Sequence, residues 1–194
     1  MITNGYTDLT TFKTWLGIGD TIDDALLERT VEAASRSIDA YTRRRFYADD
    51  AATAHYYRSP DGWRVFTHDF VAADGITLET DGDGDGTFET TWTTADYQLE
   101  PANGLTANSV VALSQPFPVY RSHRNAVKVT ARWGIDDTPV AVVEATLILA
   151  ARLFKRKDSP EGVIGFGDFG AVRLTPNDKD VQSLIEPYRK AVVV

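Results

Sequence analysis

The sequence predicts an α+β protein: a small helical bundle built from both chain ends, with an inserted antiparallel β subdomain between them. Apolar residues recur at steps of three and four before Arg44 and again after Pro139, which is the spacing of one helix face. Between Phe46 and Trp133 the chain instead breaks into short runs divided by Gly, Pro and Asp, several of them alternating with period two. The expected division is 1–46 for an N-terminal helical pair, 47–134 for the β subdomain, and 135–194 for C-terminal helices that return to the first pair.

The elements follow in order. Leu9, Phe12 and Leu16 place a helix over Thr7 to Leu16, with Gly17 at its C-terminal cap. Leu27, Val31, Ala34, Ile38 and Tyr41 form one stripe of a second helix reaching about Arg44, and Thr21 with Asp24 resembles a capping box at its start. Strands are expected at His55–Arg58, Arg64–Thr67, Ile76–Thr80, Thr87–Trp92, Tyr97–Glu100, Val110–Leu113 and Ala126–Trp133. Ile76, Leu78 and Thr80 alternate, as do Phe88, Thr90 and Trp92, so these two runs predict a hairpin turning at Asp81–Gly86. Thr138 is the expected N-cap of a third helix, with Pro139 at its first position. From Val140 to Lys155 this helix is apolar nearly all round, which predicts cover on every side. A glycine-rich loop, Asp158 to Gly170, leads to a short run at Ala171–Leu174. A last helix after Pro176 carries Val181, Leu184, Ile185 and Tyr188, with Pro187 expected to kink or end it.

Composition narrows the function. The chain has 194 residues, no cysteine, and a net charge of −8 from 28 acids and 20 bases. Without cysteine, disulfides and thiolate metal sites are excluded. Acids outnumber bases 9 to 6 over residues 1–50, 10 to 6 over 51–132, and 9 to 8 beyond. Such a chain is ill suited to gripping phosphates, and it remains compatible with DNA that must pass without sticking. The start, MITNGYTDLT, lacks the basic and apolar regions of a signal peptide, and the apolar run Val140–Phe154 is too short for a membrane span. No membrane association is expected.

The motifs mostly reduce to ordinary structure. Asp81, Asp83 and Asp85, with Gly86, match the first half of an EF-hand loop. Position twelve is Trp92 where a bidentate Glu is required, so a plain hairpin turn without metal is expected. Gly165 to Gly170 spells GxGxxG, but it follows a helix and precedes a strand, the reverse of a phosphate-binding turn. The runs Arg43-Arg44-Arg45 and Lys155-Arg156-Lys157 fall near helix C-termini, where cations suit the dipole. His55, His68 and His123 lie far apart in the chain. No GxSxG, no nucleophile with its base, and no cofactor motif is present. Nothing favours an enzyme.

Several stretches, in order, resemble the head–tail connector (adaptor) family of long-tailed double-stranded DNA phages. Thr7–Ile18 followed by Asp24–Phe46 is similar to that family's opening helix pair, whose second helix closes on a pattern like Tyr41, Arg44 and Phe46 here. Asp96-Tyr97, Leu99 and Pro101 resemble its central turn, and Val127–Gly134 its strand into a Trp-Gly step. Arg156, Ser159-Pro160 and Gly162, then Asp180-Val181 and Leu184 through Arg189, resemble its closing phrase. The resemblance implies a structural virion protein of the head–tail junction, assembled in the host cytoplasm as a dodecameric ring on the portal. It implies partners in the portal, a downstream stopper or tail completion protein, and double-stranded DNA passing through the channel without specific binding. Interface candidates are Val163, Ile164, Phe166, Phe169, Arg156, Tyr188 and Arg189. The rivals are another neck ring protein, such as a stopper or tail terminator, and a calcium-stabilised β binding module.

Overall fold

The computed structural model describes residues 2–120, 124–156, 163–164, 172–173 and 179–190. The chain divides into two compact units, one of residues 1–46 with 138–194 and the other of residues 47–137.

The first unit is helical. Helix α1 (Leu9–Leu16) starts at Asp8, whose carboxylate accepts the Thr11 N–H at 2.8 Å, and stops at Gly17 in the left-handed region (φ 72°). Helix α2 (Asp24–Thr42) buries Leu27, Val31, Ala34 and Ile38 along one stripe. The capping box is not formed. Asp23 occupies the cap with no side-chain capping bond, and Asp24 forms an ion pair with Lys13 of α1 at 2.6 Å. The helix also ends two residues early, at Thr42, where Arg43 turns left-handed.

Helix α3 (Val140–Lys155) has the expected bounds. Its Leu147, Ala150 and Ala151 join Phe12, Leu27, Val31 and Ala34 in one core. Pro139, not Thr138, is its cap, since the Thr138 hydroxyl donates outward to the Phe46 carbonyl at 2.7 Å. The expected cover on every side is not reached within the chain: Val142, Ala145, Thr146, Leu147, Ala150 and Ala151 are buried, while the other residues are half-buried or, like Val140 at 77%, exposed. Strands β8 (Val163–Ile164) and β9 (Val172–Arg173) pair antiparallel, so what reads as one glycine-rich loop contains a paired strand. Glycine content alone hid this, because two residues are too few to show a period. Helix α4 (Lys179–Ile185) buries Val181 and Ile185 and packs on α3. Pro187 ends it in a single 3-10 turn, Glu186–Tyr188.

The second unit is two antiparallel sheets around one core. Strands β1 (Thr53–Tyr57), β2 (Arg64–Val71), β3 (Thr77–Thr80), β4 (Thr90–Thr91), β5 (Tyr97–Glu100), β6 (Thr106–Ala112) and β7 (Val127–Ala131) form sheets ordered β1-β7-β3-β4 and β2-β6-β5. Val127, Val129 and Ala131 face inward while Lys128 and Thr130 face out, as a pleated strand requires. Val65, Phe70, Leu78, Trp92, Val110, Phe117 and Trp133 complete the core from both sheets. The β3–β4 hairpin pairs Glu79 with Thr91, so its turn is longer than Asp81–Gly86 and runs to Glu89. Gly134 (φ 108°) lets the chain pass close to Tyr47, whose carbonyl oxygen lies 2.0 Å from where a Cβ would sit.

Candidate assembly interface

The C-terminal end of α2 gathers residues from both chain ends. The Tyr6 hydroxyl donates to the Asp39 carboxylate and accepts the Phe46 N–H at 3.0 Å, while the Tyr6 N–H donates to Ser35 Oγ at 3.1 Å. Arg36 closes the cluster, pairing with Asp39 at 3.2 Å and donating to the Asn4 carbonyl at 2.7 Å. Burial, then the bond to Asp39, pushes the Tyr6 phenol far above its ordinary value. Burial raises the Asp39 carboxyl as well, against the Tyr6 bond and the Arg36 charge, which pull it down. Phe46 lies between two edge-on rings, Tyr6 at 5.6 Å and Tyr188 at 5.9 Å. The closing phrase is bound to the same end. The Lys190 N–H donates to the Thr42 carbonyl at 2.8 Å, and the Arg189 guanidinium lies 5.4 Å from the Tyr41 ring centroid and 3.6 Å from Glu186.

Arg43 is the one non-glycine residue with positive φ (57°) among the described residues. Left-handed backbone costs an L-residue about 1–2 kcal/mol. Its N–H satisfies the Asp39 carbonyl at 2.8 Å, and a cation at a helix C-terminus regains only about 0.3–1 kcal/mol. The side chain is exposed and makes no hydrogen bond or ion pair with the described residues.

Of the sequence-predicted interface residues, Tyr188 is half-buried against Phe46, Arg189 is exposed beside Tyr41, and Arg156 is exposed where α3 ends. Val163 and Ile164 form β8. Phe166 and Phe169 lie outside the described residues, as does His123.

The Asp-Gly turn is held by its own backbone. Asp81 is fully buried, and its two carboxylate oxygens accept the N–H groups of Gly84 at 2.6 Å and Gly86 at 2.9 Å. Asp83 accepts the Asp85 N–H at 3.1 Å, and Asp85 accepts that of Thr87 at 2.6 Å, which holds the Asp85 carboxyl below the usual range. Glu89, unnoticed in the sequence because the EF-hand register puts the decisive ligand at position twelve, brings a fourth carboxylate within 4.8 Å of these three. Trp92, at position twelve, is in the core with its Nε1–H donating to Thr80 Oγ1 at 2.9 Å.

The strands also bring two histidines together. His55 stacks on Trp133 at 4.2 Å and meets His68 edge-on at 5.5 Å, with the Tyr57 hydroxyl 2.8 Å from His68 Nδ1. The signal was the two-residue step from His55 to Tyr57, which puts both on one face of β1. This group shows no nucleophile activated by a base. The depression of about 540 Å³ lined by Ile2, Tyr6, Leu9 and Glu28 shows none either. Among the described residues no helix is long and apolar enough to cross a membrane.

Charge is divided unequally between the units. Residues 47–137 hold 14 acids and 6 bases, the whole net −8, whereas the helical unit has 14 of each and is neutral.

A two-sheet β unit inserted in the sequence of a helical unit makes this an α+β protein. Residues 6–64 match the family described as phage gp6-like head-tail connector protein. Three solved structures share the fold along the chain. One, the neck of an empty GTA particle computed with C6 symmetry, has a TM-score of 0.58 at 20% identity, covering 100% of this chain and 94% of that one. Another, the neck of a native GTA particle computed with C12 symmetry, gives 0.57 at 19%, covering 100% and 98%. The virion of a native gene transfer agent particle gives 0.58 at 21%, covering 97% and 92%. No curated protein matches the sequence. The family match covers residues 6–64, under a third of the chain, and the three solved structures show that the fold is shared along nearly all of it.

Proposed function

We propose that the chain is one segment of a ring seated on the portal, which extends the DNA channel and offers a seat to the next connector or tail protein. The observation that carries this reading is the family match over residues 6–64, joined to a fold shared with a neck computed with C12 symmetry. Physics supports it. A β unit with a net charge of −8 repels phosphate, so DNA moving past it would slide and not adhere. Assembly takes place in the host cytoplasm, with the ring completed at the head–tail junction.

Docking is assigned to the segment from Asp158 to Gly170, which combines Gly162, Gly165, Gly167 and Gly170 with Val163, Ile164, Phe166 and Phe169. Aromatic anchors on a backbone of this composition suit burial in a partner. Electron microscopy of assembled heads tests the whole reading. A ring of this chain coaxial with the portal is expected, and a single copy or decoration of the capsid lattice refutes it. For the docking role, the double change Phe166→Ser and Phe169→Ser should leave the isolated chain folded and block head–tail joining. Normal joining in that variant excludes it.

A further inference from the structure

The unequal charge of the two units has a counterpart in the helical one. Although that unit is neutral in sum, five of its fourteen cations lie near the C-terminal end of α2. Arg43, Arg44 and Arg45 leave the helix there, and the backbone bond from Lys190 to Thr42 brings Lys190 and Arg189 alongside. Glu186 lies beside Arg189, and Asp39 feels both Arg36 and Arg45. Arg43 stands outside this local pairing, exposed and without a side-chain partner among the described residues. Its position is one where glycine fits the backbone best. Dipole compensation does not single it out, since Arg44, Arg45 and Lys190 supply cations to the same end.

We infer that Arg43, backed by Arg44, Arg45, Arg189 and Lys190, is the cationic half of a contact between neighbouring copies, and that the acidic unit 47–137 of the adjacent copy is the other half. The inference rests on the ring reading above. A closed ring joins each copy to the next through two different patches, so one chain must carry both complementary surfaces. This chain does so in charge: exposed Arg43 on one unit and the entire net −8 on the other. The forked guanidinium suits carboxylates, and a patch of this size steers and registers a neighbour within about 10 Å at ordinary salt.

Heads assembled with Arg43→Gly, Arg43→Glu or Arg43→Lys test it, together with thermal melting of each isolated chain. Arg43→Gly relieves the left-handed backbone, so the isolated chain should melt higher while the ring is lost from heads. A purely structural role predicts the opposite pairing. Arg43→Glu should also lose the ring, and Arg43→Lys should keep it. In the density of unaltered heads, residue 43 should face residues 47–137 of the next copy. A full ring in Arg43→Glu heads overturns the contact and leaves the ring reading standing, as does density in which residue 43 faces DNA or the portal. Unaltered heads without any ring overturn both.

Discussion

Replacing Gly134 with alanine should disrupt the β unit far more than the loss of a glycine ordinarily does. The new Cβ would lie 2.0 Å from the Tyr47 carbonyl oxygen and 2.9 Å from Ala48 Cα, both backbone atoms that no rotamer change can move. Relief requires opening the Ala48–Gly134 bridge. The bonds at risk are Gly134 N–H to the Asp69 carbonyl (2.7 Å) and Asp49 N–H to the Trp133 carbonyl (2.8 Å). Each is worth about 0.5–1.5 kcal/mol. Backbone strain at φ 108° adds about 1–3 kcal/mol, so the total is about 4 kcal/mol. Gly86→Ala is the matched control, with nearly the same φ (103°) and nothing within 4 Å of its Cβ. It should cost about 1–3 kcal/mol from backbone strain alone. Urea unfolding followed by tryptophan fluorescence reports on this unit through Trp63, Trp92 and Trp133, fitted with separate transitions for the two units. Equal losses of stability in the two variants would refute the argument from close approach.

Other expectations are as direct. Asp81→Ala should cost about 2–3 kcal/mol in urea unfolding, because it strands the Gly84 and Gly86 N–H groups beside a buried site. The double change Asp83→Asn and Asp85→Asn should leave melting nearly unchanged with or without calcium. A calcium-dependent rise in the melting temperature, lost in that variant, would show that the turn holds an ion. Phe12→Ala, which empties a fully buried ring site between α1, α2 and α3, should cost about 3–5 kcal/mol. Burial pushes the Tyr57 phenol up to about 12. In the unfolded chain tyrosine ionises near pH 10. The neutral phenol therefore contributes stability that is fully present below pH 10 and lost as pH rises towards 12. Urea unfolding at pH 9 and at pH 11.5 should show a smaller alkaline loss for Tyr57→Phe than for the unaltered chain; equal losses exclude this role.

What the sequence made legible depended on the range of the physics involved. The bounds of α3 and β5 could be read from residues 140–155 and 97–100 because side-chain period and local turn residues set them. The start of α2 was misjudged because Asp24 has two uses, as a cap partner and as a partner for Lys13, and only the packing of α1 decides between them. Thr138 misled for the same reason, its hydroxyl going to Phe46, 92 positions away. The tail of β2 went unread past Thr67, since His68 and Asp69 do not resemble a strand; they lie in an irregularity, and pairing resumes at Phe70 and Val71 with β6 and at Phe70 with Trp133. At the candidate interface, the run Arg43–Arg45 was visible as charge, but the left-handed turn at Arg43 was not. Glycine is the usual signal for that conformation, and none is there.

The bond between Thr138 and the Phe46 carbonyl also bears on how the protein comes to be folded. It holds together the two points where the chain leaves and re-enters the helical unit. During synthesis α1 and α2 emerge first, yet α3 and α4, which supply much of their cover, follow only after residue 139. The β unit is contiguous and complete by residue 137, so it is free to fold while the first helices still wait. Closing a loop of that length costs little once its interior is already compact. A β unit of different length whose ends meet as Phe46 and Thr138 do keeps the same two junction points on the helical unit. One helical frame can in this way carry β units of different size.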